Sequence, residues 1–405
     1  MRIFQTIEHR SFSVEELESI KELNLNFSCN EGEVKYIGLN PNLQTSYFIG
    51  IDWLKVNHSI IQVNPKIKNL DFMSMFLECL NSPNLNKEIS RIYKIDLDNP
   101  KVEIDSIPFE ITPMLIIHFL SVMRNLASKG LKRNFIRVEE NLQSKVKGKI
   151  KFSQHFKYNI SKGRFDKNYC NYQEYSVDCL ENQLLKKTLQ FCGSYLSKYY
   201  KKKEALTTFK YCISAFDLVS DDIDAIMVKK VRINPVYKEY AQALKLAKLI
   251  LRRFGYSISQ TTQLAKTTPP FWIDMSLLFE IYVYGKLKKE FGSVIKYQQK
   301  GKYGNTDFLK LDEKIVIDTK YKLLYNDPFY EIENIRQISG YARDVNIRKK
   351  LNAGENELLP CCIIYPDPNS PTDFHNRSIL DIKIDQFEKF WKIGIRLPVL
   401  PPTRI

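Results

Sequence analysis

The chain has 405 residues, 44% of them hydrophobic and 12% aromatic, and 61 Lys and Arg against 46 Asp and Glu give it a formal charge of +15. That length holds two or three domains with cores of their own, and the apolar content excludes a disordered chain. The positive balance favours nucleic acid or another polyanion as partner through phosphate neutralisation, although lysine-rich chains are often basic for no such reason.

The eight cysteines, Cys29, Cys79, Cys170, Cys179, Cys192, Cys212, Cys361 and Cys362, form no Cys-x-x-Cys pair and do not cluster with the five histidines. Zinc-site spacing is therefore absent, and scattered thiols suit a reducing cytoplasm. The N-terminus has no apolar signal core. The longest apolar run, near Met114–Met123, contains His118 and is too short to span a bilayer. A cytoplasmic protein with no membrane contact is expected.

In chain order, residues 1 to about 100 read as mixed and rather β-rich. Ser13 followed by Glu16 is a capping-box start for a helix running to Leu23. Tyr47–Leu54 is strand-like, and Ser59–Ile67 is a second strand ended at Pro65. Residues 111–129 predict an apolar helix closed by Gly130. Residues 131–178 interleave Lys132, Arg133, Arg137, Lys145, Lys147, Lys149 and Lys151 with Phe135, Phe152, Phe156 and Tyr158. The alternation from Ser144 to Phe152 predicts a half-buried strand. Its pattern suits nucleic-acid contact and equally a solvated lysine face over an ordinary sheet. From 179 to 252 the 3.6-residue period dominates, notably over Glu181–Phe191 and Tyr237–Leu251. Pro269-Pro270 ends that pattern. The fold class is thus α+β, mixed and multidomain: a β-rich region over 1–178, a helical region over 179–267 and an α/β domain over 268–405. No Gly-x-x-x-x-Gly-Lys-Ser/Thr occurs, so a P-loop is missing.

The last region carries the chemistry. Apolar Val316 and Ile317 lead into Asp318-Thr319-Lys320. On a strand Asp318 and Lys320 project to one face, and a hairpin can return Asp307 beside them. Two carboxylates, with the Thr319 carbonyl, give an oxygen shell for Mg²⁺, with Mn²⁺ as an alternative, and Lys320 can orient the attacking water. Glu280, acidic within an apolar helix that begins near Asp274, either adds a carboxylate to the metal or lies on a solvated face. Gln337 and Tyr341 share a helix face and can brace the ligands, while Lys322, Arg336 and Arg343 are candidates for phosphate contacts. By spacing alone, Asp-x-Lys is also what a surface ion pair on a hairpin looks like. Cys361-Cys362 before Ile-Ile-Tyr reads as buried strand.

These motifs resemble the PD-(D/E)xK nuclease superfamily, and Gln337-x-x-x-Tyr341 resembles the helix of its RecB-like branch. In their order, Ile61–Ile67 with Pro65-Lys66, Gly130–Arg133, Glu140–Ile150 with Lys147-Gly148, Glu181–Lys186 with Asn182, and Phe271–Glu280 resemble McrC, the nuclease subunit of McrBC-type modification-dependent restriction systems. The chain departs from that pattern in having Asn305-Thr306-Asp307 where the family often has Arg-Pro-Asp, and Lys147 in place of Arg. The resemblance implies a C-terminal endonuclease core over 268–405 and an N-terminal docking and stalk region over 1–178. It also implies DNA as substrate, Mg²⁺ as cofactor and a hexameric AAA+ GTPase, McrB-like, as the partner that the chain stimulates. A non-catalytic adaptor of that GTPase and a free-standing repair nuclease are the alternatives.

Overall fold

The structure, a computed structural model, describes residues 2–28, 34–79, 91–96, 99–103, 112–199, 203–221, 223, 231, 238–253, 267–302, 304–323 and 332–399. Cys29 and Tyr237 lie outside them. The chain forms two compact units: Met1–Ile111 with Lys266–Ile405, and Thr112–Ala265. The expected division after residue 178 falls inside the second unit, and residues 1–111 share a unit with the C-terminal region.

The first part of unit 1 contains β1 (Arg2–Ile7), α1 (Val14–Lys21), β2 (Phe48–Lys55), β3 (Ser59–Asn64), α2 (Phe72–Cys79), β4 (Tyr93–Ile95) and β5 (Val102–Glu103). The Ser13–Glu16 capping box forms: Ser13 Oγ accepts from the Glu16 N–H, and Glu16 Oε2 accepts from the Ser13 N–H. β2 and β3 make a hairpin, and β1 adds to β3 in parallel. Phe4, Ile20, Ile61 and Val63 are buried together on one side of this sheet.

Unit 2 contains α3 (Thr112–Lys129), β6 (Asn134–Gln143), β7 (Lys149–Ile150), α4 (Phe152–Tyr158), β8 (Lys167–Ser176), α5 (Leu180–Tyr199), α6 (Lys203–Ser214) and α7 (Lys238–Arg253). As expected, α3 is apolar and stops at Gly130, whose φ of 88° only glycine adopts freely. Its residues from Met114 to Leu120 are all buried, so it is the central helix of this unit. Asn182 ties α5 down: it donates to the Lys132 and Val177 carbonyls and accepts from Tyr240 Oη.

The strand expected over 144–152 does not form. Ser144 and Gly148 have φ of 53° and 66°, which breaks the extended backbone, and only Lys149–Ile150 pairs, with β8. Phe152 then opens a short helix. β6 and β8 instead form a ladder of ten residue pairs, from Asn134↔Ser176 to Gln143↔Lys167. Phe152, Phe156 and Phe165 are exposed near its far end.

The rest of unit 1 begins with β9 (Thr267–Thr268), paired with β5, and β10 (Phe271–Asp274). β10 enters the first sheet between β2 and β4, giving the order β1-β3-β2-β10-β4. There follow α8 (Met275–Phe291), β11 (Ile295–Lys300), β12 (Asn305–Lys310), β13 (Ile315–Thr319), α9 (Ile332–Arg343), α10 (Val345–Lys350), β14 (Cys361–Pro366), β15 (Ile382–Lys383) and β16 (Phe390–Ile395). The second sheet has the order β11-β12-β13-β14-β16-β15. Its centre, β13, β14 and β16, is parallel and reads as continuous apolar runs because helices cover both faces. Tyr284 of α8 stacks on Phe308 on one face. On the other, Ile335 and Ile338 of α9 pack with Leu309, Val316 and Ile363. Cys361 and Cys362 are buried in β14, as their apolar context predicts.

The join between β2 and β10 needs a glycine. Gly50 has a φ of 142°, and a Cβ there would lie 2.2 Å from the Phe271 carbonyl oxygen. Gly50→Ala should therefore destabilise unit 1 by about 2–4 kcal/mol, read as a lower urea midpoint. An unchanged midpoint would contradict this packing.

Candidate active site

The register of β12 on β13 brings the acidic residues together. Phe308 lies opposite Ile317 and Leu309 opposite Val316. The next residues outward from Phe308 and Ile317 are Asp307 on β12 and Asp318 on β13. Residues two apart on a strand share a face, so Asp307 follows Leu309, and Asp318 follows Val316, onto the face covered by α9. Lys320 continues the same face beyond the strand end. Here side chains replace the backbone ladder: the Thr319 N–H and hydroxyl both donate to Asp307 Oδ2, at 2.7 and 2.6 Å.

Lys320 links the carboxylates to α9. Its Nζ is 2.7 Å from Asp318 Oδ2 and donates to Gln337 Oε1 at 2.9 Å. The Asp318 contact has the distance of an ion pair without the direction of a hydrogen bond, and no described group donates one to that buried oxygen. Gln337 Nε2 donates in turn to Tyr341 Oη at 2.9 Å, one helical turn on. Four of the expected residues thus form one chain, Asp318–Lys320–Gln337–Tyr341.

Glu280 comes from α8, which covers the opposite face of the sheet. It is partly buried rather than solvated, and Gln298 Nε2 donates to its Oε1 at 3.0 Å. Gln298 is a residue that the sequence reading missed. It lies in β11 between Tyr297 and Gln299, whose partners Phe308 and Thr306 flank Asp307 in β12. Its φ of 39° is strained for a non-glycine residue inside a strand. The only hint in the sequence is a Gln-Gln pair in an otherwise ordinary strand.

Burial acts on all three carboxylates, and the charge of Asp307 acts on the other two. Asp318 is pushed up from 3.8 to about 7, first by burial and then by the charge of Asp307, with Lys320 pulling the other way. Glu280 is pushed up to about 7, again by burial and then by Asp307. Burial also raises Asp307, against the bonds from Thr319 and the charge of Lys320. Crowded, desolvated carboxylates of this kind favour a bound cation. Among the described residues, no three His, Cys, Asp or Glu side chains converge into a ready cage. Mg²⁺ does not require one, since it is held by one or two carboxylates together with water and substrate phosphate. The donor set therefore fits a hard divalent ion.

The remaining candidates lie around this centre. Lys322 is partly buried, and its N–H donates to the Lys320 carbonyl at 2.8 Å. Arg336 and Arg343 are exposed on α9. Asn305 and Thr306 stay in the strand, paired with Lys300 and Gln299, so the altered residues before Asp307 do not displace it.

Folding raises the pKa of Asp318 to about 7 from 3.8, so its stabilising contribution is complete below pH 3.8 and is lost as pH climbs to 7. In metal-free buffer Asp318→Asn should therefore gain stability over the parent as pH rises from about 5 to about 8, by roughly 1–3 kcal/mol across that interval. Melting curves with EDTA at both pH values test this, and a difference independent of pH would refute the buried charge. If these carboxylates hold Mg²⁺, Gln298→Ala should lower its affinity by about tenfold in titration calorimetry by releasing Glu280, and an unchanged affinity would separate Glu280 from the ion.

No curated protein matches the chain. Among solved structures, it is similar to a half-complex from a tetradecameric assembly of Thermococcus gammatolerans McrB AAA+ hexamers with bound McrC, at 14% identity and a TM-score of 0.40, over 97% of this chain and 94% of that one. It is also similar to the cryo-EM structure of the Thermococcus gammatolerans McrBC complex, at 14% identity and a TM-score of 0.35, over 70% of this chain and 87% of that one. Residues 43–351 match the family described as McrBC 5-methylcytosine restriction system component, and with most of its length in that match the chain belongs to this family.

Proposed function

We propose that the chain is the DNA-cutting subunit of a McrBC-type restriction complex, a McrC-like PD-(D/E)xK endonuclease that acts with, and stimulates, an AAA+ GTPase. The observation that carries this reading is Lys320 ion-paired to Asp318, with Asp307 held by the N–H and hydroxyl of the intervening Thr319, at the end of a mixed sheet covered by helices on both sides. Asp307, Asp318, the Thr319 carbonyl and Glu280 are the oxygen donors for Mg²⁺, with Mn²⁺ as an alternative. When bound, the ion supplies charge neutralisation at the scissile phosphate and acidifies a water. Lys320 holds the attacking water or a phosphate oxygen, and Gln337, itself held by Tyr341, keeps the ammonium aimed. Hydrolysis forms a bond from the water oxygen to phosphorus and breaks a bridging P–O bond. The water loses a proton and the departing oxygen gains one. Arg336, Arg343 and Lys322 contact the DNA backbone, where the net positive charge of the chain favours association.

In this reading a separate AAA+ GTPase chain is the motor. Residues 1–178 supply docking, and the exposed Phe152, Phe156 and Phe165 with their neighbouring lysines offer such a surface. Among the described residues no helix is long and apolar enough to cross a membrane.

The test is reconstitution with the McrB-like GTPase of the same genome, methylated plasmid, GTP and Mg²⁺. Asp318→Ala and Lys320→Ala should each lower cleavage by about 100-fold or more and leave stimulation of GTP hydrolysis unchanged. Cleavage at the parental rate in both variants would remove the nuclease assignment and favour an adaptor. Efficient cutting by the purified chain alone would instead support a free-standing enzyme.

A further inference from the structure

Directly behind Lys320 lies a buried polar cluster that the chemistry above does not use. Glu8 follows β1, Lys66 follows β3, and Tyr321 follows Lys320, so the cluster joins the first sheet to the end of β13 within unit 1. Tyr321 is anchored at three points. Lys66 Nζ donates to its carbonyl oxygen at 2.5 Å, the same ammonium lies 3.7 Å from its ring centroid, and its hydroxyl donates to Glu8 Oε1 at 2.9 Å. Glu8 Oε1 also accepts from the Lys66 N–H at 2.9 Å, and Lys66 Nζ is 3.9 Å from Glu8 Oε2. Among the described residues nothing donates a hydrogen bond to that second oxygen.

The clamp acts on the backbone that carries the lysine. The Lys320 N–H is fixed by the Ile364 carbonyl at 2.9 Å, and the Lys320 carbonyl accepts from the Lys322 N–H, closing a tight turn centred on Tyr321. The Tyr321 ring packs on Phe279, with centroids 5.7 Å apart, and Phe279 precedes Glu280 on α8. One tyrosine thus touches the supports of two candidate site residues on opposite faces of the sheet.

Stability is a poor explanation for this cluster. Burial pushes Glu8 up to about 7 and Lys66 down to about 8, so each partner is buried against its own charged form. Buried ion pairs of this kind are often replaceable by apolar groups at no loss. An orienting role accounts for the three-point hold on Tyr321 where a packing role does not.

We propose that Lys66, braced by Glu8, is a positioning residue that sets Lys320 against Asp318 through Tyr321. This rests on the nuclease reading. In the reconstituted complex with methylated plasmid, GTP and Mg²⁺, Lys66→Met should lower kcat by about tenfold or more, because small misplacements of a catalytic group are costly, with KM for DNA unchanged within about twofold. Lys66→Arg, which keeps a cation over the ring, should restore much of the rate. Glu8→Gln, close in shape, should lower kcat in the same direction and serves if Lys66→Met fails to fold. Melting curves give the folded fraction to which each rate is normalised. A parental kcat per folded molecule in Lys66→Met, or in Glu8→Gln where only that variant folds, would overturn the proposal. Lys320→Ala runs alongside: if it still cuts, the nuclease reading fails, whereas if it is dead while Lys66→Met is fully active, only the positioning role fails.

Discussion

Carboxylates gather at the end of an apolar sheet because β12 and β13 are antiparallel and in one particular register. Each strand places Leu309 or Val316 in the core under α9 and an aspartate two residues away on the same face. A slip of one residue would turn either aspartate to the other face. The apolar pairs therefore do more than exclude water. They fix which acids meet, and the burial they impose gives those acids their raised pKa values. Lys320, Gln337 and Tyr341 depend on the same register, since α9 lies over the face it defines.

Glu280 approaches from α8, on the opposite layer, and its hold is different in kind. A strained Gln298 reaches it from the strand next to β12. Strain kept in a strand centre is tolerated where the surrounding structure over-determines it, and here β11 is paired on both sides of the distorted residue. The site thus combines one rigid contribution from strand register with one local distortion.

Local chemistry was legible in the sequence. The Ser13 capping box, the apolar α3 ending at Gly130, the apolar run into Asp318 and the helical spacing of Gln337 and Tyr341 all rest on neighbours within a few residues. Long-range features were not. Nothing near Phe271 signals that it inserts between β2 and β4, and Lys66 meets Tyr321 across most of the chain. The alternation from Ser144 to Phe152 misled because period-2 patterning is silent about left-handed residues, and two of them end the extended backbone there. Gln298 escaped because its placement depends on a single dihedral angle, which residue type does not reveal.

The placement of β10 also bears on how the chain is made. The first sheet has β1, β2, β3 and β4 early in the sequence, yet the strand that joins β2 to β4 follows the whole of residues 112–265. During synthesis at about 5–20 residues per second, the edge of β2 stays unpaired for on the order of ten seconds or longer. For that interval its backbone donors and acceptors are open to any extended segment nearby. Unit 2, continuous in sequence, has no such wait and can finish first. The nascent chain therefore holds a completed middle and an unsealed beginning until the C-terminal part leaves the ribosome.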